Sequence, residues 1–288
     1  MIKNYFFITK PGIIGGNAIT VVAGFLLASG GGVDLWLLVA TLTGLSFVVA
    51  SGCVFNNYID RDIDILMERT MGRALAQGAV SPSGALLYAS ALALIGIIIL
   101  IASTNILTTI ASALGLFIYV VVYSLWLKRK SIYGTVVGSI SGAIPPVVGY
   151  LAVSNSIDLG ALILFFILVF WQMPHSYAIA IYRLSDYMDA GISVLPAEKG
   201  LYVTKVHMLI SVALFVMASL VLSVFGYAGQ LYFCVMILFG LAWFLLCVKG
   251  FFIKTTNNKK WARSMYLFSI IIIAIFFLVV LIETLQIV

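Results

Sequence analysis

The nine residues NNYIDRDID, 56–64, close an apolar run that begins at about residue 36, in a chain of 288 residues that holds only 10 acids. A run of about 20 apolar residues is long enough to cross a bilayer as a helix. Asn56, Asp60 and Asp64 lie four apart, so on a helix each is rotated only about 40° from the last and all three share one face. Ionisable side chains at a membrane helix are expensive and are kept there for a task. Three oxygen-bearing side chains on one stripe at the mouth of such a helix suit a divalent cation and a phosphate-bearing substrate.

Outward from this stripe the whole chain has the same character. Hydrophobic residues make up 63% and charged residues 9%, against roughly 25% charged in an average soluble protein. The predicted fold class is all-α: one domain over residues 1–288, a polytopic membrane bundle of nine helices around a central cavity open to the cytoplasmic side. Windows of about 20 residues place spans at 11–29, 36–57, 84–103, 106–126, 133–153, 160–182, 208–226, 231–249 and 264–285. The short basic segment before residue 11 runs into an ordinary span rather than a cleavable signal. Cys53, Cys234 and Cys247 lie in apolar stretches without metal-ligand spacing and read as packing residues.

Charge is distributed on one side. With the amino terminus cytoplasmic, all 16 Lys and Arg fall on the cytoplasmic face, the asymmetry that orients multi-pass proteins. The net charge of +6 therefore reflects topology, and nucleic acid is not an expected partner. Acids contribute little to orientation, yet seven of the ten share that face, and only Asp34, Asp158 and Glu283 lie opposite. They crowd into two loops, 57–83 and 183–207, each an acidic helix end followed by cations.

In the first loop no Gly or Pro interrupts the sequence before Glu68, so the helix is predicted to run that far. Asp60 and Asp64 then point one way and Asp62 nearly opposite. Arg69 and Arg73 follow at one and two turns, and a guanidinium matches a pair of phosphate oxygens. In the second loop Tyr182, Asp186 and Asp189 share a helical face, with Arg183 and Lys199 nearby. Pro174 is expected to kink the sixth span and free carbonyls toward a cavity. Gly134, Gly138 and Gly142 allow close helix approach, and Pro145–Pro146 interrupt the fifth span.

The stripe with its leading Asn, the RDID continuation and the following ERTxxR resemble the first Asp-rich motif of the intramembrane UbiA-type prenyltransferases. Four further strings are similar to the branch of that superfamily that farnesylates heme: TKPGII (9–14), YSLWLKRKSIYGT (123–135), SGAIPPVVGY (141–150) and WQMPHSYAIAIYRLSDY (171–187). Three positions depart from the superfamily pattern: Asn57 and Tyr182 stand where acids are usual, and Ala74 replaces a Pro.

The resemblance implies a reaction. Mg²⁺ held by Asp60, Asp64 and Asp186 would bridge the diphosphate of farnesyl diphosphate, with Asn56 completing the catalytic set. Arg69, Arg73, Lys128 and Lys199 would neutralise the leaving charge, and Asn57, Arg129, Tyr182 and Arg183 would contact substrate. The farnesyl cation would be captured by a vinyl group of heme b in an aromatic pocket, for which Tyr119, Tyr123, Trp126, Trp171, Tyr177 and Tyr182 are candidates. The cluster Lys128–Arg129–Lys130 reads by default as a positive-inside anchor, with heme propionates or diphosphate as the alternative partners. His175 lies eleven residues before Asp186, about 16 Å along one helix, and would contact the heme or bridge two helices. Beyond the substrates and the lipid bilayer, the resemblance implies the bacterial inner membrane and a downstream heme-modifying enzyme or terminal oxidase assembly. Two other readings stay open: a polyprenyltransferase for an aromatic acid such as 4-hydroxybenzoate, and a secondary transporter, whose ionisable residues would sit nearer the midplane.

Overall fold

The computed structural model describes residues 2–287, and among them nine helices are long and apolar enough to cross a membrane. They are α1 (Pro11–Ser29), α2 (Leu35–Asp64), α3 (Pro82–Ser103), α4 (Ile106–Lys130), α5 (Gly134–Ser154), α6 (Leu159–Tyr182), α7 (Gly200–Val224), α8 (Gln230–Lys249) and α9 (Asn258–Ile287). A short helix, Ile2–Ile8, precedes them. Every span expected from hydropathy is present. The boundaries move where polar residues find partners at the same end of the bundle. α7 starts eight residues before the expected 208, and this added part holds Lys205, whose ammonium donates to the Gly250 carbonyl at 2.7 Å and lies over the Trp261 ring.

α2 ends at Asp64 and not at Glu68. The hydroxyl of Thr70 donates to the Asp64 carbonyl at 3.0 Å, giving a last-turn acceptor a partner outside the helix. Residues 65–80 then fold back in tight turns. A second correction concerns the loop after α6. The helix stops at Tyr182, Arg183 leaves helical geometry (φ −111°, ψ 30°), and Leu184–Asp189 is a separate short helix. Tyr182, Asp186 and Asp189 therefore do not share one continuous face, and His175 and Asp186 are not on one helix.

Two interruptions shape the interior. α5 breaks at Ala143, and Pro145 and Pro146 open its second half, where a missing backbone N–H leaves nothing unsatisfied. α4 is π-helical over Ile118–Leu127, with the Lys128 N–H donating to the Tyr123 carbonyl five residues back. Pro174, by contrast, sits inside uninterrupted α6. α1 lies directly on the second half of α5. A Cβ on Gly24 would come 1.9 Å from the Pro146 carbonyl oxygen, and one on Gly149 would come 2.1 Å from that of Val21, so this backbone-to-backbone crossing admits only glycine at both positions.

The bundle is asymmetric. α6 packs between α7 and α9 over a solid core that includes Leu164, Tyr177, Phe215, Tyr232, Trp243 and Phe276. The other half encloses a cavity of about 490 Å³ walled by α1, α2, α4, α5 and α6, with loop residues around 67–73 and 187–194 at its mouth. The cavity thus belongs to five of the nine spans.

Candidate functional site

The polar rim of the cavity is built on the end of α2. Asn56, Asp60 and Asp64 are all buried on one side of that helix, as four-residue spacing requires. Asn56 donates from Nδ2 to Asp60 Oδ2 at 2.7 Å and to the Ser124 hydroxyl at 3.2 Å. Its Oδ1 accepts from the Lys10 ammonium at 2.6 Å. Lys128 also pairs with Asp60 Oδ2. The other carboxylate oxygen of Asp60, Oδ1, is buried and has no hydrogen-bond partner among the described residues. One turn on, a single guanidinium nitrogen of Arg73 reaches both oxygens of Asp64, at 2.9 and 2.8 Å. Arg73 reaches Asp64 because the chain turns back after residue 64, not because the helix continues.

The π winding of α4 decides which of its residues take part. Under α winding of about 100° per residue, Lys128 would point about 180° away from Tyr119, nine positions earlier. A π winding of about 4.4 residues per turn brings the two within about 20°. Tyr119, Tyr123 and Lys128 accordingly line the cavity together, with the two tyrosine rings stacked at 5.8 Å. π-helical turns recur at functional sites.

Below the charged rim the walls are Leu45, Val48, Val49, Leu116, Ile144 and Pro145, with the Gln172 amide and Ser176 hydroxyl projecting from α6. Lys10 at the mouth has its pKa lowered to about 8, by burial first and then by the neighbouring charges of Arg73 and Lys128. The Tyr187 phenol, also at the mouth, is pushed up by burial. The chamber therefore combines cations and carboxylates at one end with a long apolar, aromatic body.

Several expected site residues lie elsewhere. Arg129 pairs with the exposed Asp62 at 2.7 Å on the outer side of α2 and not with the cavity. Asn57 donates to the Ile8 carbonyl at 2.7 Å and fastens the amino-terminal helix. Tyr182 lies beneath the Arg183 and Lys259 side chains, and Lys199 is exposed at the start of α7. Asp186 faces Arg183 at 3.6 Å on its own short helix, and no three His, Cys, Asp or Glu side chains converge among the described residues. His175 points away from the cavity. Its Nδ1 is hydrogen-bonded to the Ser269 hydroxyl oxygen at 2.7 Å, and its ring stacks on Trp171 and tilts against Tyr266. Gln172 and Ser176, one turn apart, take the cavity face of α6 instead. Sequence reading passed over Lys10, Gln172, Ser176 and Tyr187. All four lie in strings that carry the resemblance, Lys10 in TKPGII and the other three in WQMPHSYAIAIYRLSDY, but Lys10 counts there as a topological charge and periodicity does not show which side of α6 faces the cavity.

Residues 17–280 match the sequence model of the UbiA prenyltransferase family. The chain belongs to that family. It is 52% identical over 273 residues, 95% of its own length and 92% of the relative's, to proteins named protoheme IX farnesyltransferase from Yersinia pseudotuberculosis and from Photorhabdus laumondii. Solved structures share its UbiA fold at low identity. A digeranylgeranylglyceryl phosphate synthase aligns over 99% of both chains with a TM-score of 0.84 at 18% identity. A UbiA homologue from Archaeoglobus fulgidus bound to GPP and Mg²⁺ aligns over 96% of this chain and 99% of its own, with a TM-score of 0.66 and 18% identity.

Proposed function

We propose that this UbiA-family protein transfers the farnesyl group of farnesyl diphosphate to a vinyl group of heme b. The observation that carries the reading is one cavity joining the buried Asp64 carboxylate and four cations to an apolar aromatic body, with Asp60 buried one turn earlier on the same helix and paired to one of those cations, in a chain 52% identical to proteins named protoheme IX farnesyltransferase. The allylic carbon–oxygen bond breaks with its electron pair going to the diphosphate. The farnesyl carbon bonds to the terminal vinyl carbon, and water adds its hydroxyl at the other vinyl carbon and loses a proton. The product is heme O with a hydroxyethylfarnesyl side chain.

The residues fit a divalent cation. Asp60 keeps a buried carboxylate oxygen without a partner, and Asp64 lies one turn further on the same face, so both offer the hard oxygen donors that Mg²⁺ takes. Bound there with Asp186 brought in from its short helix, Mg²⁺ would supply charge stabilisation to the leaving diphosphate. Arg69, Arg73 and Lys128 hold and neutralise the phosphate oxygens, and Arg73 and Lys128 exchange their carboxylate partners for them. A low-dielectric chamber makes each such contact worth far more than in water. Tyr119 and Tyr123 present ring faces that attract the developing allylic cation, while the apolar walls keep water from capturing it early. Arg183 and Lys199 lie outside the cavity and would contribute long-range charge, as would Arg129.

The protein lies in the bacterial inner membrane with its amino terminus and its cavity mouth toward the cytoplasm. That placement rests on the cations gathered at one end of the bundle. Transfer to an aromatic acid such as 4-hydroxybenzoate is the closest competing reaction. It is disfavoured by the identity to the heme-modifying relatives. A transporter is disfavoured because the ionisable residues crowd one end and not the midplane. Purified protein incubated with heme b, farnesyl diphosphate and Mg²⁺ is expected to yield heme O by mass, to stop in EDTA and to recover on adding Mg²⁺. A farnesylated aromatic acid in place of heme O would overturn the reading.

A further inference from the structure

Lys10 is an ammonium at the cavity wall with no carboxylate of its own. Its one hydrogen-bond partner among the described residues is the neutral Asn56 amide, at 2.6 Å, which leaves two of its three N–H groups free. The two carboxylates of the α2 stripe are taken: Asp60 by Lys128 and Asp64 by Arg73. The neighbouring charges that bear on it from other elements are the cations Arg73 and Lys128 and the Asp60 carboxylate, which Lys128 already pairs. A cation facing a cavity among other cations, with no anion assigned to it, is arranged for an anion brought in from outside.

The backbone shows that this position is imposed. Lys10 has φ 55° and ψ 69°, a left-handed conformation unfavourable for a side chain with a Cβ. Pro11 follows, and a residue before proline prefers extended geometry. The strained turn persists because its carbonyl receives the Ile13 N–H at 2.8 Å and its N–H donates to the Phe7 carbonyl at 3.1 Å. Such strain is retained where a side chain must be delivered to one place, and here that place is the Asn56–Asp60 wall.

We propose that Lys10 is a further diphosphate-binding residue, its ammonium taking a phosphate oxygen of the isoprenoid substrate beside Asn56. The proposal rests on the function given above. It favours phosphate over the carboxylates of the heme because Lys10 faces the stripe on which the diphosphate would be held.

The test uses the full chain, purified in detergent, with inorganic diphosphate and Mg²⁺ titrated by calorimetry and heme b titrated separately by absorbance. Lys10→Met and Lys10→Gly are expected to weaken diphosphate binding by about tenfold or more and to leave heme b affinity at the parent value. Lys10→Arg should retain most of the diphosphate affinity. Glycine adopts the left-handed turn without strain, so a loss in Lys10→Gly is not a loss of fold. Parent-like diphosphate binding in both the Met and Gly variants would overturn the role of Lys10 alone. A selective loss of heme b affinity would also overturn it and give the ammonium to the carboxylates of the acceptor. Absence of diphosphate binding in the parent would overturn the proposed function as well.

Discussion

The two ends of the bundle hold the same kinds of acid for opposite purposes. At the end away from the cavity mouth there are three, and each satisfies the first turn of an even-numbered span. Asp34 accepts from the Leu37 N–H at 3.0 Å for α2, and Asp158 from the Ala161 N–H at 3.0 Å for α6. Glu283 reaches from α9 to the Gly229 and Tyr232 N–H groups at 2.7 and 2.9 Å for α8. The start of α4 is capped in the same way by Asn105. No Lys or Arg lies at this end, so the positive partner of each carboxylate is the helix terminus itself. At the cavity end, Asp60, Asp62, Asp64 and Asp186 are each paired with a lysine or arginine. A capping acid is a local convenience. A buried acid held by a side-chain cation is a site that a ligand can reopen.

Substitutions can break or sharpen this contrast. The largest effect is expected at Asp60→Ala and Asp64→Ala, where turnover should fall by about a thousandfold or more as the electrostatic core of the site is lost. Asp158→Ala should turn over like the parent; equal losses at both ends, read by heme O mass, would abolish the distinction. Next, Lys128→Met and Arg73→Ala each strand a buried carboxylate and should cost about 3 kcal/mol of stability. Bound diphosphate and Mg²⁺ should restore part of that in a thermal melt.

Removing a cap is milder. Asp34→Ala or Asp158→Ala should lower stability by about 1 kcal/mol with product formation unchanged. Tyr150→Phe, which deletes the 2.9 Å hydrogen bond to Asp158, should add little further loss once Asp158 is gone, because the two act on one carboxylate. The smallest effect is expected at Asp62→Ala. Its partner Arg129 is on the surface, and an exposed ion pair contributes about 0.5 kcal/mol or less. Substantial loss of turnover at Asp62 would show that the outer side of α2 also belongs to the site.

Much of the cavity end was legible from spacing. Asn56, Asp60 and Asp64 share a face because four residues make nearly one helical turn, whatever surrounds them. His175 shows where that reasoning ends. Hydropathy places it in the sixth span, but periodicity does not say which side of a helix meets a void. Packing of α6 against α9 turns His175 onto Ser269 and gives the cavity to Gln172 and Ser176.

The sequence by itself determined the nine spans, their one-sided cations and the carboxylate stripe, because hydropathy and helical period are local properties of the chain. Tertiary structure decided the partners. The turn after Asp64 brings Arg73 back to it, the π winding of α4 turns Lys128 onto Asp60, and the left-handed turn at Lys10 delivers an ammonium to Asn56 across 46 residues. Each of those contacts depends on how a helix is wound, ended or rotated against its neighbours. That is settled only when the whole bundle packs.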